Sequence, residues 1–381
     1  MIYNQLILIT VLGILFLNPS YSQSYNIDEN KYQKTIDLMF SFQMKEAIDE
    51  LNNLQEKNAS DPTFYFIKAI VYYYTSLIHK SGISDELFPT DIITDEFNNN
   101  INTSISLSKQ LLKSQNANCD LTLLLGASYG FQGLFSLNQS EFISGYKKGK
   151  EGYEEINKIL SSNKNYYDAY LGIGLYNLFT SYVPWYLRWL ITSGEKKEGL
   201  KQINLVISNS KFKFTKYFAL IYLDSFYYME YRDNQSKSIL NDRIKVLENF
   251  VSKYPDNFAM QIDLAGCYEI INKDQAIVVY ANIIKYAQQE RNDILHNYAT
   301  YSLAELYQER REYNKAITCY QNILANSKKS TVYNEKSELK IAEIYIVNGE
   351  KQKAKQLLNE LIAKALDKKI KEKAINLKEG L

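Results

Sequence analysis

Histidine is almost missing from this chain: His79 and His296 are the only two in 381 residues. They stand apart from each other and from the three cysteines, Cys119, Cys267 and Cys319. Zinc cages need such ligands in local clusters, so no metal or cofactor site is expected. An odd number of widely spaced cysteines is not a disulfide framework either. Each cysteine lies in an apolar-periodic stretch and reads as a small buried side chain. Neither sign of charge is in excess, because 44 basic and 43 acidic residues leave a net of +1. Nucleic-acid binding proteins carry a basic stripe, and nucleic acid is not an expected partner. Proline is scarce, and its five residues fall between periodic segments. Long helices joined by short turns give that distribution.

What is present is apolar and aromatic. Apolar residues make up 46% of the chain and Tyr alone supplies 33 residues, so a substantial core is available. The length suits two ordinary domains or one repeat array. Leu6 to Leu17 is continuously apolar, Asn18-Pro19 breaks it, and Ser20-Tyr21-Ser22 places small residues before Gln23. That layout predicts a signal peptide over 1–22 and export to the periplasm or beyond the cell. The stretch is shorter than the roughly 20 residues of a spanning helix. Its first five residues lack Lys and Arg, and no second run reaches membrane length.

The C-terminal half repeats. Leu264-Ala265, Leu303-Ala304 and Ile341-Ala342 each precede a tyrosine, Tyr268, Tyr307 and Tyr345, by one spacing. Ala276, Ala316 and Ala354 follow, then Tyr280, Tyr320 and Leu358, then Ile283, Ile323 and Leu361. Steps of three and four put these residues on one helical face, and the alanines allow two antiparallel helices to come close. These positions resemble the tetratricopeptide repeat, with small residues at its eighth and twentieth places and aromatics near the eleventh and twenty-fourth. Asn297 to Lys328 fits best, and Pro255 stands where that family closes a unit. Tyr167 to Tyr176 and Pro184 to Arg188 resemble a segment of bacterial exported proteins of the same type. The fold implied is all-α, a right-handed α-solenoid of about eight antiparallel helix pairs. The expected organisation is 23–209 as divergent repeats and 210–381 as tetratricopeptide-like repeats, with a capping helix from about Leu357 to Leu377. That helix carries an apolar stripe of Leu358, Ile362, Leu366, Ile370, Ala374 and Leu377 among lysines. A cap is the first reading of it, and a basic helix lying on an anionic membrane the second.

Several motifs mimic catalytic ones. Gly126-Ala127-Ser128-Tyr129-Gly130 matches a hydrolase nucleophile elbow, but no alternating β-α pattern surrounds it, and Gly126 falls on a repeat position where small size admits the paired helix. Gly145 to Glu151 has the wrong spacing for a phosphate loop, and Gly172-Ile173-Gly174 lacks its third glycine. Asp85, Glu86, Asp91, Asp95 and Glu96 read as a solvated loop around Pro89. No catalytic residue is assigned.

Binding is the remaining class. In repeats of the resembled type, the second, fifth, ninth, twelfth and thirteenth residues of each first helix face a concave groove. Here they include Tyr298, Tyr301, Glu305, Gln308 and Glu309, with Ile262 and Glu269 in the preceding unit and Glu343 and Ile346 in the following one. Such a groove is expected to be aromatic and acidic and to hold a protein or peptide partner. The alternative is a carrier or sensor of a small apolar or glycan ligand. It rests on Trp185 and Trp189, one helical turn apart, with Arg188 between them to pair an anion or stack on a ring.

Overall fold

The computed structural model describes residues 24–81, 89–115, 117–182, 194–326 and 332–381. They form tandem antiparallel helix pairs. The first pair is α1 (Gln33–Phe40) with α2 (Met44–Leu54). It is followed by α3 (Pro62–Ser81) with α4 (Thr90–Ser114), α5 (Cys119–Asn138) with α6 (Phe142–Ser162), and α7 (Ala169–Ser181) with α8 (Lys196–Asn209). The rest are α9 (Lys213–Asn234) with α10 (Lys237–Lys253), α11 (Phe258–Ile271) with α12 (Lys273–Gln289), α13 (Asp293–Glu309) with α14 (Tyr313–Asn326), and α15 (Val332–Val347) with α16 (Lys351–Lys364). The closing helix is α17 (Lys368–Glu379). First helices of neighbouring pairs touch and make an inner layer, as between α3 and α5, α5 and α7, and α13 and α15. This is the all-α solenoid that the repeat spacing predicts.

The abundant asparagines mark helix starts. The side chains of Asn118, Asn257, Asn272 and Asn292 each accept a hydrogen bond from a backbone amide in the first turn of α5, α11, α12 and α13. Those amides have no partner inside the helix. Tight turns between paired helices put one residue in the left-handed region. The residue is Phe42 after α1, Ser140 after α5, Arg311 after α13 and Gly349 after α15. Only Gly349 does so without a steric penalty from Cβ.

The two parts of the array pack differently. In the C-terminal pairs the repeated positions are all buried. Ala265, Ala304, Ala342, Ala276, Ala316 and Ala354 have no exposed surface, and Tyr280, Tyr320, Ile283, Ile323, Leu358 and Leu361 fill the space between helices. Further upstream the inner layer closes on itself. Its centre is α3, whose sequence is apolar or aromatic on every face save at Lys68 and which is buried from Thr63 to Ile78 except at Tyr65 and Leu77. Phe218 of α9 lies 5.2 Å from Phe40 of α1, 6.0 Å from Tyr74 of α3 and 5.6 Å from Phe131 of α5, ring centre to ring centre. One hydrophobic core therefore runs from Tyr32 to Tyr254 and takes in helices on both sides of residue 209.

The N-terminal segment locks this closure. Tyr25 donates its amide to Gln115 and its hydroxyl to Asp61, each at 2.7 Å. The Ile27 amide donates to Asp120 at 2.8 Å, and the Glu29 carboxylate accepts the amides of Lys213 and Phe214 at the start of α9. Carboxylates on a helix's first turn meet its partial positive charge and its free amides together. Tyr254 then donates to Asp37 at 2.9 Å, and Asn257 to the Phe40 carbonyl at 2.7 Å. Between the closed part and the open one, the buried Arg243 of α10 bridges Asp224 of α9 at 2.7 Å and Asp263 of α11 at 2.6 Å.

Glycine sets how close α5 and α6 come. A Cβ on Gly152 would stand 2.6 Å from the Gly126 carbonyl oxygen, and one on Gly133 2.8 Å from that of Gly145. The pair α7 and α8 repeats the device, since a Cβ on Gly199 would lie 2.9 Å from the Gly174 carbonyl. Ser128 lies on the other side of α5, facing α4. It is fully buried in mid-helix, donates to the Leu124 carbonyl at 2.8 Å and shares a hydrogen bond with Ser104. It does not stand on a strand-to-helix elbow. Gly145 to Glu151 lies within α6, and Gly172 and Gly174 lie within α7.

Two expectations need correction. Asp91, Asp95 and Glu96 are on the first turns of α4, whereas Asp85 and Glu86 lie outside the described residues. The terminal helix is not continuous. The buried Glu335 accepts the amides of Leu366 and Asp367, and Asp367 caps α17 through the amides of Lys369 and Ile370. The chain turns there, Leu366 is left exposed, and Ile370 and Ala374 pack on Leu339, Ala342, Leu358 and Leu361. The apolar face of α17 thus covers the end of the array, as a cap does. Residues 1–22, where the sequence predicts a signal peptide, lie outside the described residues.

Substituting single glycines tests the seam. Gly152→Ala is expected to destabilise the protein by roughly 1–3 kcal/mol through overpacking against backbone. Gly149→Ala, whose Cβ would meet nothing within 4 Å, is expected to be neutral or to gain up to about 1 kcal/mol of helix propensity. Chemical denaturation midpoints compare the two, and equal effects would contradict the close approach.

Candidate functional site

The residues that the repeat phase assigns to the groove come together on α11, α13 and α15. Glu305, Gln308 and Glu309 line a depression of about 250 Å3 with Tyr313, Lys340 and Val347. Tyr301 lies beside it in an aromatic group, 5.5 Å from Tyr320 and 5.7 Å from Tyr333. Tyr298 is half-buried against the core shared by α11 to α13.

The groove is aromatic, as expected, but its charge is mixed. Lys340 lies 3.4 Å from Glu305 and 3.6 Å from Glu343, and Lys373 of α17 is 2.7 Å from Glu343. Lys273 of α12 meets Glu309 at 2.5 Å. Lys336 stands 5.4 Å over the Tyr333 ring and 6.0 Å over that of Tyr301. Lys336 is the second residue of its unit, equivalent to Tyr298, so the repeat phase already contained it. Lys273, Lys340 and Lys373 come from positions that the phase does not direct into the groove, and only packing brings them there.

Not every groove residue is free to meet a partner. Tyr280 donates its hydroxyl to Glu269 at 2.6 Å, and Tyr320 donates to Gln308 at 3.2 Å. These are the same two repeat positions in successive units. In the next unit the tyrosine becomes Leu358 and the acceptor becomes Ile346. A buried hydroxyl requires an acceptor, and the three units obey that pairing. Burial pushes the Tyr280 hydroxyl well up, with Glu269 adding to the shift. Burial also raises the Glu269 carboxyl, against the pull of the tyrosine's hydrogen bond. The thirteenth positions behave differently. Ile270 is 55% exposed, Val347 65%, and the Glu309 side chain 57%. They form a lip along three successive inner helices, apolar, acidic and apolar in order.

Trp185, Arg188 and Trp189 lie outside the described residues. The residues that flank them border a second, larger cavity of about 590 Å3 among α3, α5, α6, α7 and α9. Phe66, Phe131, Leu134, Leu171, Leu175 and Phe218 are in its wall. Burial pushes the Cys267 thiol up to about 11, so that cysteine packs as a small apolar group beside Leu264.

The tyrosine pairing separates structural residues from available ones. Glu269→Ala is expected to destabilise the protein by about 1–3 kcal/mol, because it removes the carboxylate that accepts the buried Tyr280 hydroxyl. Glu309→Ala is expected to stay within about 0.5 kcal/mol. Urea unfolding of the two variants checks this, and an unaffected Glu269→Ala would show that the hydroxyl is solvated.

A sequence profile described as Tetratricopeptide repeat matches residues 336–365, which span α15 and α16. No curated protein sequence matches the chain. Solved structures that align with it include the C-terminal part of a TPR repeat-containing protein from Cytophaga hutchinsonii, at 14% identity, covering 80% of this chain and 98% of that one with a TM-score of 0.38. Yeast Tom70 aligns at 12% identity over 93% of this chain and 88% of its own, TM-score 0.36. A Rap protein complexed with competence and sporulation factor aligns at 12% identity over 93% and 96%, TM-score 0.38. Residues 336–365 thus form a tetratricopeptide repeat on α15 and α16, and the same buried alanines, tyrosines and isoleucines recur from α11 onward.

Proposed function

We propose that the protein is an exported scaffold that holds an extended peptide segment of a protein partner along its C-terminal groove. The lip formed by Ile270, Glu309 and Val347 carries this proposal. Packed helix axes are roughly 8–10 Å apart, and an extended strand rises about 3.3 Å per residue. At that spacing, successive lip residues match every third residue of an extended ligand. The complementary segment has an apolar residue, two others, a basic residue, two others and a second apolar residue. The basic residue meets Glu309 in place of Lys273. Tyr301 and Tyr333 offer ring faces beside this line, and Lys340 with Glu305 supplies polar contacts below it.

Export rests on the Leu6–Leu17 stretch and the small residues before Gln23. Cleavage there retains Tyr25, Ile27 and Glu29, whose hydrogen bonds close the N-terminal part.

Peptide display on the purified protein is expected to enrich the apolar–basic–apolar pattern at steps of three. Glu309→Lys and Val347→Asp are each expected to weaken selected peptides by about tenfold. Peptides that bind wild type and both variants equally would refute the groove assignment. N-terminal sequencing of protein recovered outside the cytoplasm checks export, with Gln23 expected as the first residue and retention of Met1 contradicting it.

A further inference from the structure

The 590 Å3 cavity of the N-terminal part is lined by residues between Phe66 and Tyr222 and shares none with the C-terminal groove. Its size falls within the roughly 300–1,000 Å3 of small-molecule sites. Water is a poor occupant, since a buried water needs several polar partners and these walls are nearly all carbon. Leaving the space empty would forfeit the dispersion contacts of every lining side chain.

Several polar groups on the described wall are engaged, while the buried hydroxyls of Thr215 and Tyr222 have no hydrogen-bond partner among the described residues. Asp168 accepts the backbone amides of Lys211 and Phe212 at 2.8 and 3.1 Å. Thr180 donates to the Tyr176 carbonyl at 2.6 Å and accepts from the Gly194 amide at 2.9 Å. The Tyr182 hydroxyl donates to Glu230 at 2.5 Å. Among the described residues a glycan's many hydroxyls would find only those of Thr215 and Tyr222 free, and an ionic group would be desolvated. The occupant must be apolar along its buried length.

The glycines sharpen the point. Gly126, Gly133, Gly145 and Gly152 are required for helix contact, but Gly130 and Gly149 are not, since a Cβ on either meets nothing within 4 Å. Both border the cavity, so their lack of a side chain keeps its wall bare. Other bordering residues reach outward. Leu137, Phe142, Phe179 and Tyr182 line the cavity and are also among the exposed large hydrophobic residues, with Phe142 69% exposed. An apolar path thus leads from the surface to the interior.

We propose that this cavity binds one unbranched aliphatic acyl chain, taken up with its methyl end inward and its polar end left at the exposed rim. The purified protein, stripped of lipid on a hydrophobic resin, is titrated with palmitate. In parallel it is incubated with vesicles of phosphatidylethanolamine and phosphatidylglycerol, separated from them, and analysed for bound acyl chains. Saturable uptake of about one chain per protein is expected. Gly130→Leu and Gly149→Leu, which fill the cavity without touching the helix seam, are each expected to weaken it about tenfold. Gly266→Leu, in α11 and equally unobstructed, is expected to leave it unchanged, and the thermal midpoints show that the variants fold. Uptake of free palmitate alone identifies a free acid as the source, and uptake from vesicles alone identifies a membrane lipid. Absence of uptake from either source overturns the proposal, as does uptake that both cavity-filling variants leave unchanged.

Discussion

The structure depends on how closely the two helices of each pair approach. That distance is set at positions where nothing larger than a methyl group fits. In the C-terminal pairs the residue is alanine, at 265 and 276, 304 and 316, and 342 and 354. In α5 with α6, and in α7 with α8, it is glycine, and backbone faces backbone. Apolar side chains on either side of these seams then interdigitate at the density of a protein interior. Helix propensity alone would disfavour glycines there by about 1 kcal/mol each, so close packing outweighs propensity.

The two kinds of seam accompany two kinds of interior. With alanine, the inner layer stays open, and tyrosines from the outer helices reach through to acceptors at its edge. Glu269 and Gln308 are held in this way, while the thirteenth residues project into solvent. In the glycine-containing part, the inner layer curls until α1 meets α9 and α10, and the concave side becomes a core around α3. One region of that core remains unfilled by the described side chains, beside the bare backbone of Gly130 and Gly149. The same architecture thus offers a polar groove at one end and an apolar cavity, open at its rim, at the other.

The C-terminal repeats were legible in sequence because their contacts are local. Ala304, Ala316, Tyr320 and Ile323 lie within one unit, and their spacing records the helix face directly. Closure of the N-terminal part was not legible. Tyr254 and Asp37 are 217 residues apart, as are Asn257 and Phe40, and no periodicity encodes such a pairing. A sign existed in α3, where Phe64 to Tyr74 is apolar or aromatic on all sides save at Lys68, at a place where an ordinary repeat helix would keep one polar face. Repeat phase named Glu305, Gln308 and Glu309, which line one depression, but not their charge environment, because Lys273, Lys340 and Lys373 arrive from other faces. The break before α17 was hidden as well. Leu366 fits the helical stripe by spacing, and only Glu335, distant in sequence, turns the chain there.

Native-state hydrogen exchange tests the division into a closed and an open part most directly. Amides of α3 between Thr63 and Ile78 should exchange more slowly than any others in the chain, because they open only when the whole N-terminal core opens. Those of α13 and α15 should exchange faster, as expected for an inner layer that faces solvent. Exchange in α3 as fast as in α13 would mean that the inner layer does not close, and would contradict the account.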